Sequence, residues 1–165
     1  VRQLPMLKKN YPTFDKYAHA TMSELLTTMK SEVKFVLSAY EQRSVIVENF
    51  GNSRFEIRPL PEPAQRSPIT DISAIDINQD GNTDLISIGN DYSIEPIEGQ
   101  IDGGVGMILL GNGKGDFSAV SPKQSGLLMN GDAKKMVVLN WTSGKLICAT
   151  QNKGELRCFS MLNEQ

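Results

Sequence analysis

The run Asp76-Ile77-Asn78-Gln79-Asp80-Gly81-Asn82-Thr83-Asp84 constrains this chain more than any other stretch. Oxygen-bearing side chains recur at every second position, and Gly81 stands where the backbone must turn sharply. The flanks, Ile72 to Ile75 and Leu85 to Ile88, are short apolar runs that read as strands. Three carboxylates brought together repel one another unless a cation lies among them. A Ca²⁺ ion takes about six to eight oxygen ligands, and this spacing supplies oxygens in that style. The expected ligands are the side chains of Asp76, Asn78, Asp80 and Asp84 and the backbone carbonyl of Asn82. An EF-hand opens in the same way but needs a bidentate Glu at its twelfth position, which here is Ser87, and its flanks are helices. The alternative to a metal loop is an Asx-rich turn with no ion.

With 165 residues, 39% of them apolar, the chain can build one compact core. Most of its glycines lie beyond Asn49, between short apolar runs. Ser44 to Asn49 and Arg54 to Arg58 flank Gly51-Asn52 as a hairpin, and the proline-rich 59–63 connects it onward. Four strands follow, over 69–77, 84–89, 105–110 and 117–120, and then three apolar runs over 133–139, 145–150 and 155–161. The first of these runs echoes Ile72 to Asp76 after about 64 residues. Repeats of four short strands imply propeller blades. The divisions are an N-terminal extension over 1–43, the end of one blade over 44–63, a full blade over 64–122 and a degenerate blade over 123–165. The extension holds one short helix over 23–30, opened by a Thr21–Glu24 capping box. Its stripe of Met22, Leu25, Leu26 and Met29 is expected to dock on a sheet.

A net charge of -2, with Lys134-Lys135 as the widest basic cluster, excludes a nucleic-acid partner. No stretch reaches the roughly 20 apolar residues of a transmembrane helix. The chain begins with Val and shows no secretion signal, so it reads as a piece of something longer.

The metal loop runs straight into Asp84-Leu85-Ile86-Ser87-Ile88-Gly89-Asn90, and later comes Met107-Ile108-Leu109-Leu110-Gly111-Asn112-Gly113-Lys114-Gly115-Asp116-Phe117. Together these resemble the FG-GAP/VCBS repeat of integrin-like β-propellers, and Glu48 to Phe55 is similar to the close of a preceding repeat. The resemblance covers about 44–161 and implies an all-β, partial β-propeller of two to three four-stranded antiparallel blades stabilised by Ca²⁺. It further implies a secreted, cell-surface or periplasmic recognition or adhesion module, most like large bacterial surface proteins. The third unit departs from the pattern, because Asn140-Trp141-Thr142-Ser143-Gly144-Lys145 carries no carboxylate and should hold no ion.

Within the long loop 90–104, Tyr92, Glu95, Glu98 and Asp102 are candidate ligand-binding residues, a solvated acidic loop being the plainer alternative. His19 has no nucleophile or orienting carboxylate marked beside it, and the chain is read as non-enzymatic. Trp141 reads as a packing residue at a turn. Cys148 and Cys158 flank Asn152-Lys153-Gly154. A three-residue loop with Gly154 left-handed would set them opposite each other, within reach of a disulfide, whereas a two-residue loop would put them on opposite faces as free, buried thiols. The expected function is binding of a protein or carbohydrate, with self-association through exposed blade edges. The alternatives are a non-catalytic part of a polysaccharide-degrading enzyme and a purely structural propeller fragment.

Overall fold

A computed structural model describes residues 5–30, 35–94, 99–142 and 144–162. The chain divides into two compact units, Val1–Gln42 and Arg43–Gln165. The first holds a 3₁₀ turn, Pro5–Lys9, and two helices, α1 (Phe14–Ala18) and α2 (Met22–Met29), where one helix was expected. The Thr13 hydroxyl caps α1 by accepting the Lys16 N–H, the signal missed in the sequence. At α2 the capping box closes: the Thr21 hydroxyl accepts the Glu24 N–H, and Glu24 accepts the Thr21 N–H at 2.8 Å. Of its apolar stripe Leu25, Leu26 and Met29 are half-buried and Met22 is exposed, and no residue of α2 is fully buried. Residues 35–42 belong to no helix or strand.

The second unit is mostly β, in three antiparallel sheets. The first pairs β1 (Val45–Asn49) with β2 (Phe55–Pro59). The second has the order β3 (Ile69–Ile75), β4 (Asp84–Gly89), β5 (Met107–Gly111), β6 (Phe117–Val120). The third is β7 (Ala133–Trp141), β8 (Gly144–Gln151), β9 (Arg157–Leu162). Among the described residues only the second sheet has the expected four strands. The 44–63 segment carries just two apolar runs and 123–165 just three, and the strand count follows those runs. A 3₁₀ turn, Glu62–Gln65, and one helical turn, α3 (Pro122–Ser125), complete the unit.

Side chains alternate across the second sheet, and both of its faces are apolar. Leu85 and Leu109 lie on one face, packed with Leu60, Ala64 and the partly buried Ile46 of β1. Ile86 and Ile108 lie on the other, packed with Leu127, which precedes β7, and with Ile147 of the third sheet. The sheets therefore stack first, second, third, and the middle strand β4 is buried along its whole length.

Polar tethers fix the stack. Asn90 is fully buried, with φ +134°. Its amide donates to the carbonyls of Gly104 and Gly131, both at 2.8 Å, and its oxygen accepts from Gly104 N–H and the Ser67 hydroxyl. One side chain thus joins the approaches to β3, β5 and β7 with every hydrogen-bonding site used. The glycine before it is obligatory, because a methyl group on Gly89 would run into the Pro68 carbonyl. Asp71 on β3 accepts the Met136 N–H of β7 at 2.8 Å and lies 3.4 Å from Lys135 Nζ. The Met136 bond, aided by Lys135 and the Ile72 N–H, holds its carboxyl below the ordinary value against the opposing effect of burial.

Asn90→Ala strands the partners of four bonds around a buried position and should cost about 3 kcal/mol, read from urea unfolding midpoints. Asp71 has a depressed native pKa, so its stabilisation is complete above the unfolded value of about 3.9 and disappears as pH falls through the native one. Asp71→Asn should accordingly be destabilising at pH 7, with the gap from wild type closing below about pH 4 in the same measurement.

Candidate functional site

The oxygen-rich loop lies between β3 and β4. β3 ends at Ile75, two residues earlier than expected, because Ile77 gives its N–H to Asp84 Oδ2 at 2.9 Å rather than to a strand partner. Gln79 and Gly81 both take left-handed conformations, with φ +61° and +86°, and curl the chain. Asp76 Oδ1 and Asn78 Oδ1 each lie 3.2 Å from the Asp80 nitrogen, so these two oxygens converge, while Asp76 Oδ2 accepts the Gly81 N–H at 2.9 Å. Asp80 accepts the Asn82 N–H at 2.8 Å and a bond from the Asn78 amide, which hold its carboxyl below the ordinary value.

Asp84 differs from the others in being fully buried. Its Oδ1 accepts the Gly111 N–H of β5 at 2.8 Å and its Oδ2 the Ile77 N–H, so one carboxylate clamps the loop onto the neighbouring strand. Among the described residues no basic side chain pairs with it within 4.0 Å. The following turn, 111–116, is pressed against the loop: a methyl group on Gly111 would meet the Thr83 carbonyl, and one on Gly113 would meet Asn82 Oδ1. Arg58 of β2 closes this end by donating to the Lys114 carbonyl at 2.9 Å and pairing with Glu48 at 3.2 Å.

The donor set is wholly oxygen, carries three carboxyl groups and includes a buried one with no basic partner among the described residues, which suits a hard cation such as Ca²⁺. Among the described residues no three His, Cys, Asp or Glu side chains are already gathered around one point. The loop oxygens instead take N–H groups of the loop and of β5.

The other candidate residues are dispersed. A bridge between Asp91 and Ile101, with both backbone bonds at 2.9 Å, closes the base of the 90–104 loop. Tyr92, half-buried, and Asp102, exposed, each follow one member of that bridge. Glu95 and Glu98 lie outside the described residues, as does Ser143. Trp141 ends β7 and is 61% exposed, so it does not pack as expected, because its partner across the ladder is Gly144 and offers no side chain.

Cys148 and Cys158 are joined in a disulfide, at directly opposed positions of β8 and β9. The left-handed residue of the intervening turn is Lys153, not Gly154, at φ +55°. Gly154 is needed for space, since the Gln151 side chain, which donates to the Glu155 carbonyl, fills the volume a Cβ would take.

One feature escaped the sequence reading. A cleft of about 300 Å³ opens on the second sheet where β4 and β5 diverge, lined by Ser67, Ser87, Val105, Met107 and Ser121. Arg66 stands at its wall, its guanidinium donating two hydrogen bonds to the Glu62 carboxylate, at 2.9 and 2.7 Å. Its linings come from four segments distant in sequence, and no local pattern announces them. Neither Tyr92 nor Asp102 lines it. No family of known proteins, no curated protein and no solved structure matches the chain.

The disulfide should leave the mass unchanged on alkylation under denaturing, non-reducing conditions. Closing a loop of about ten residues contributes about 2.7 kcal/mol by chain entropy, so reduction should lower the unfolding midpoint by that equivalent.

Proposed function

We propose that the β unit is a calcium-stabilised recognition module of the FG-GAP/VCBS type, a partial propeller that binds a protein or glycan outside the cytoplasm and catalyses no reaction. The observation that carries this reading is Asp84: a buried carboxylate that has no basic partner among the described residues, set in an oxygen-only loop, and holding that loop to β5. Ca²⁺ held by Asp76, Asn78, Asp80, Asp84 and the Asn82 carbonyl would supply the missing positive charge and tie the β3–β4 turn to the sheet. The meander order of the second sheet and the stacking of sheets on both its faces are compatible with propeller blades. A disulfide is favoured in an oxidising compartment, in keeping with an extracellular, surface or periplasmic setting.

Calorimetric titration with CaCl₂, paired with thermal unfolding with and without chelator, tests the reading. Calcium at about a hundredfold its Kd should add about 2.7 kcal/mol. Asp80→Ala should abolish the heat and the gain; Asp80 is exposed, so its removal leaves the calcium-free core intact. Unfolding that is indifferent to chelator in the wild type would overturn the calcium reading.

A further inference from the structure

The cleft on the second sheet, about 300 Å³, lies at the lower end of the range of small-ligand pockets, about 300–1,000 Å³. Its floor holds the last pair of the β4–β5 ladder, Ser87 opposite Met107, on the same face as Leu85 and Leu109. The two walls are pinned at one point. Asn90 accepts from the Ser67 hydroxyl on one side and exchanges two bonds with Gly104 on the other, so the cleft has its shape before anything enters it.

Ser87 is the group at this site that the fold leaves unused. It is 2% exposed, and among the described residues its hydroxyl makes no hydrogen bond. The oxygen is not sealed off, so it opens on the cleft that the residue lines. A hydroxyl on a buried apolar sheet face is unfavourable when unpaired, and packing alone gains nothing from it. A ligand that brings a polar atom to the floor recovers the loss.

The rest of the lining sets the chemistry of that ligand. Ile69, Val105 and Met107 supply aliphatic surface, and no aromatic side chain among the described residues lines the cleft, so a sugar ring finds no stacking platform. Arg66 alone is charged among the described residues of the lining. Glu62 engages its Nε and Nη2 and so fixes the plane of the guanidinium, while Nη1 makes no hydrogen bond among the described residues. A cationic ligand would meet no opposite charge here, whereas a carboxylate would meet an oriented donor.

We infer that the cleft binds an aliphatic carboxylate, carried by a small acid or by the C-terminal residue of a peptide. The carboxylate accepts from Arg66 Nη1, the aliphatic body lies on Ile69, Val105 and Met107, and a carbonyl or amide beside it bonds to the Ser87 hydroxyl. The inference rests on the cleft alone and holds whether or not the Asp76–Asp84 loop takes calcium.

NMR titration of the isotope-labelled full chain with N-acetyl-L-leucine tests this, with N-acetyl-L-leucinamide as the uncharged twin. The acid should saturate, with shifts centred on the amides of Ser87, Gly104, Gly106 and Met107, and should bind about tenfold more tightly than the amide. Arg66→Gln, at an exposed position, should erase that difference and leave the affinity for the amide unchanged. Ser87→Ala should weaken acid and amide alike. Isovalerate and a pentapeptide ending in leucine separate the two sources, the tighter binder naming the carrier as a free acid or a chain end. An acid that does not saturate at tens of millimolar, saturation with shifts elsewhere, an acid no tighter than the amide, an Arg66→Gln variant that keeps the preference, or a Ser87→Ala variant that binds like wild type would overturn the inference.

Discussion

The second sheet is apolar on both faces, and the rest of the β unit follows from that. A four-stranded sheet exposed on one side would leave Ile86, Ile88 and Ile108, or else Leu85 and Leu109, against water, at about 25 cal/mol for each Å² of apolar surface. Covering one face alone is insufficient, so a layer is required on each side. β4 pays no penalty for its continuous burial, since its neighbours β3 and β5 satisfy its backbone and its two faces meet different layers.

Apolar contact is indifferent to register, and the polar tethers supply what it lacks. Asn90 requires that three chain segments arrive at one point, and Asp71 requires that β3 and β7 lie side by side. Thr70 adds a third such link by donating to the Ala133 carbonyl at 2.7 Å. Most of these bonds go to backbone groups, so they read the course of the chain itself. Asp132, buried beside the start of β7, is held instead mainly by the side chains of Lys134 and Asn152. Burial would raise its carboxyl, but Lys134, Asn152 and the Tyr92 backbone together hold it below the ordinary value.

Much of this was legible before any coordinates. The strands over 84–89 and 117–120 stand where alternation and glycine placed them, and Thr21 with Glu24 marked the start of α2. What sequence missed was non-local or small. α1 is only five residues long and rests on one hydroxyl cap. The early end of β3 depends on a carboxylate seven residues away taking the Ile77 N–H, and no propensity encodes that. The cleft is assembled from segments whose proximity exists only after folding. The loop residues Asp76, Asn78, Asp80 and Asp84 were visible as a set, yet only the fold distinguishes Asp84 as the buried one.

The covalent link between β8 and β9 has a consequence for error rather than for strength. In a sheet, a slip of one residue sends every side chain to the opposite face, so a mispaired β9 would turn Phe159 and Met161 out of the core. Outer strands are where such slips begin, having one neighbour to hold them. With Cys158 bonded to Cys148, the strand has a single permitted alignment, and the bridge acts as a proofreading pin for the most vulnerable border of the unit.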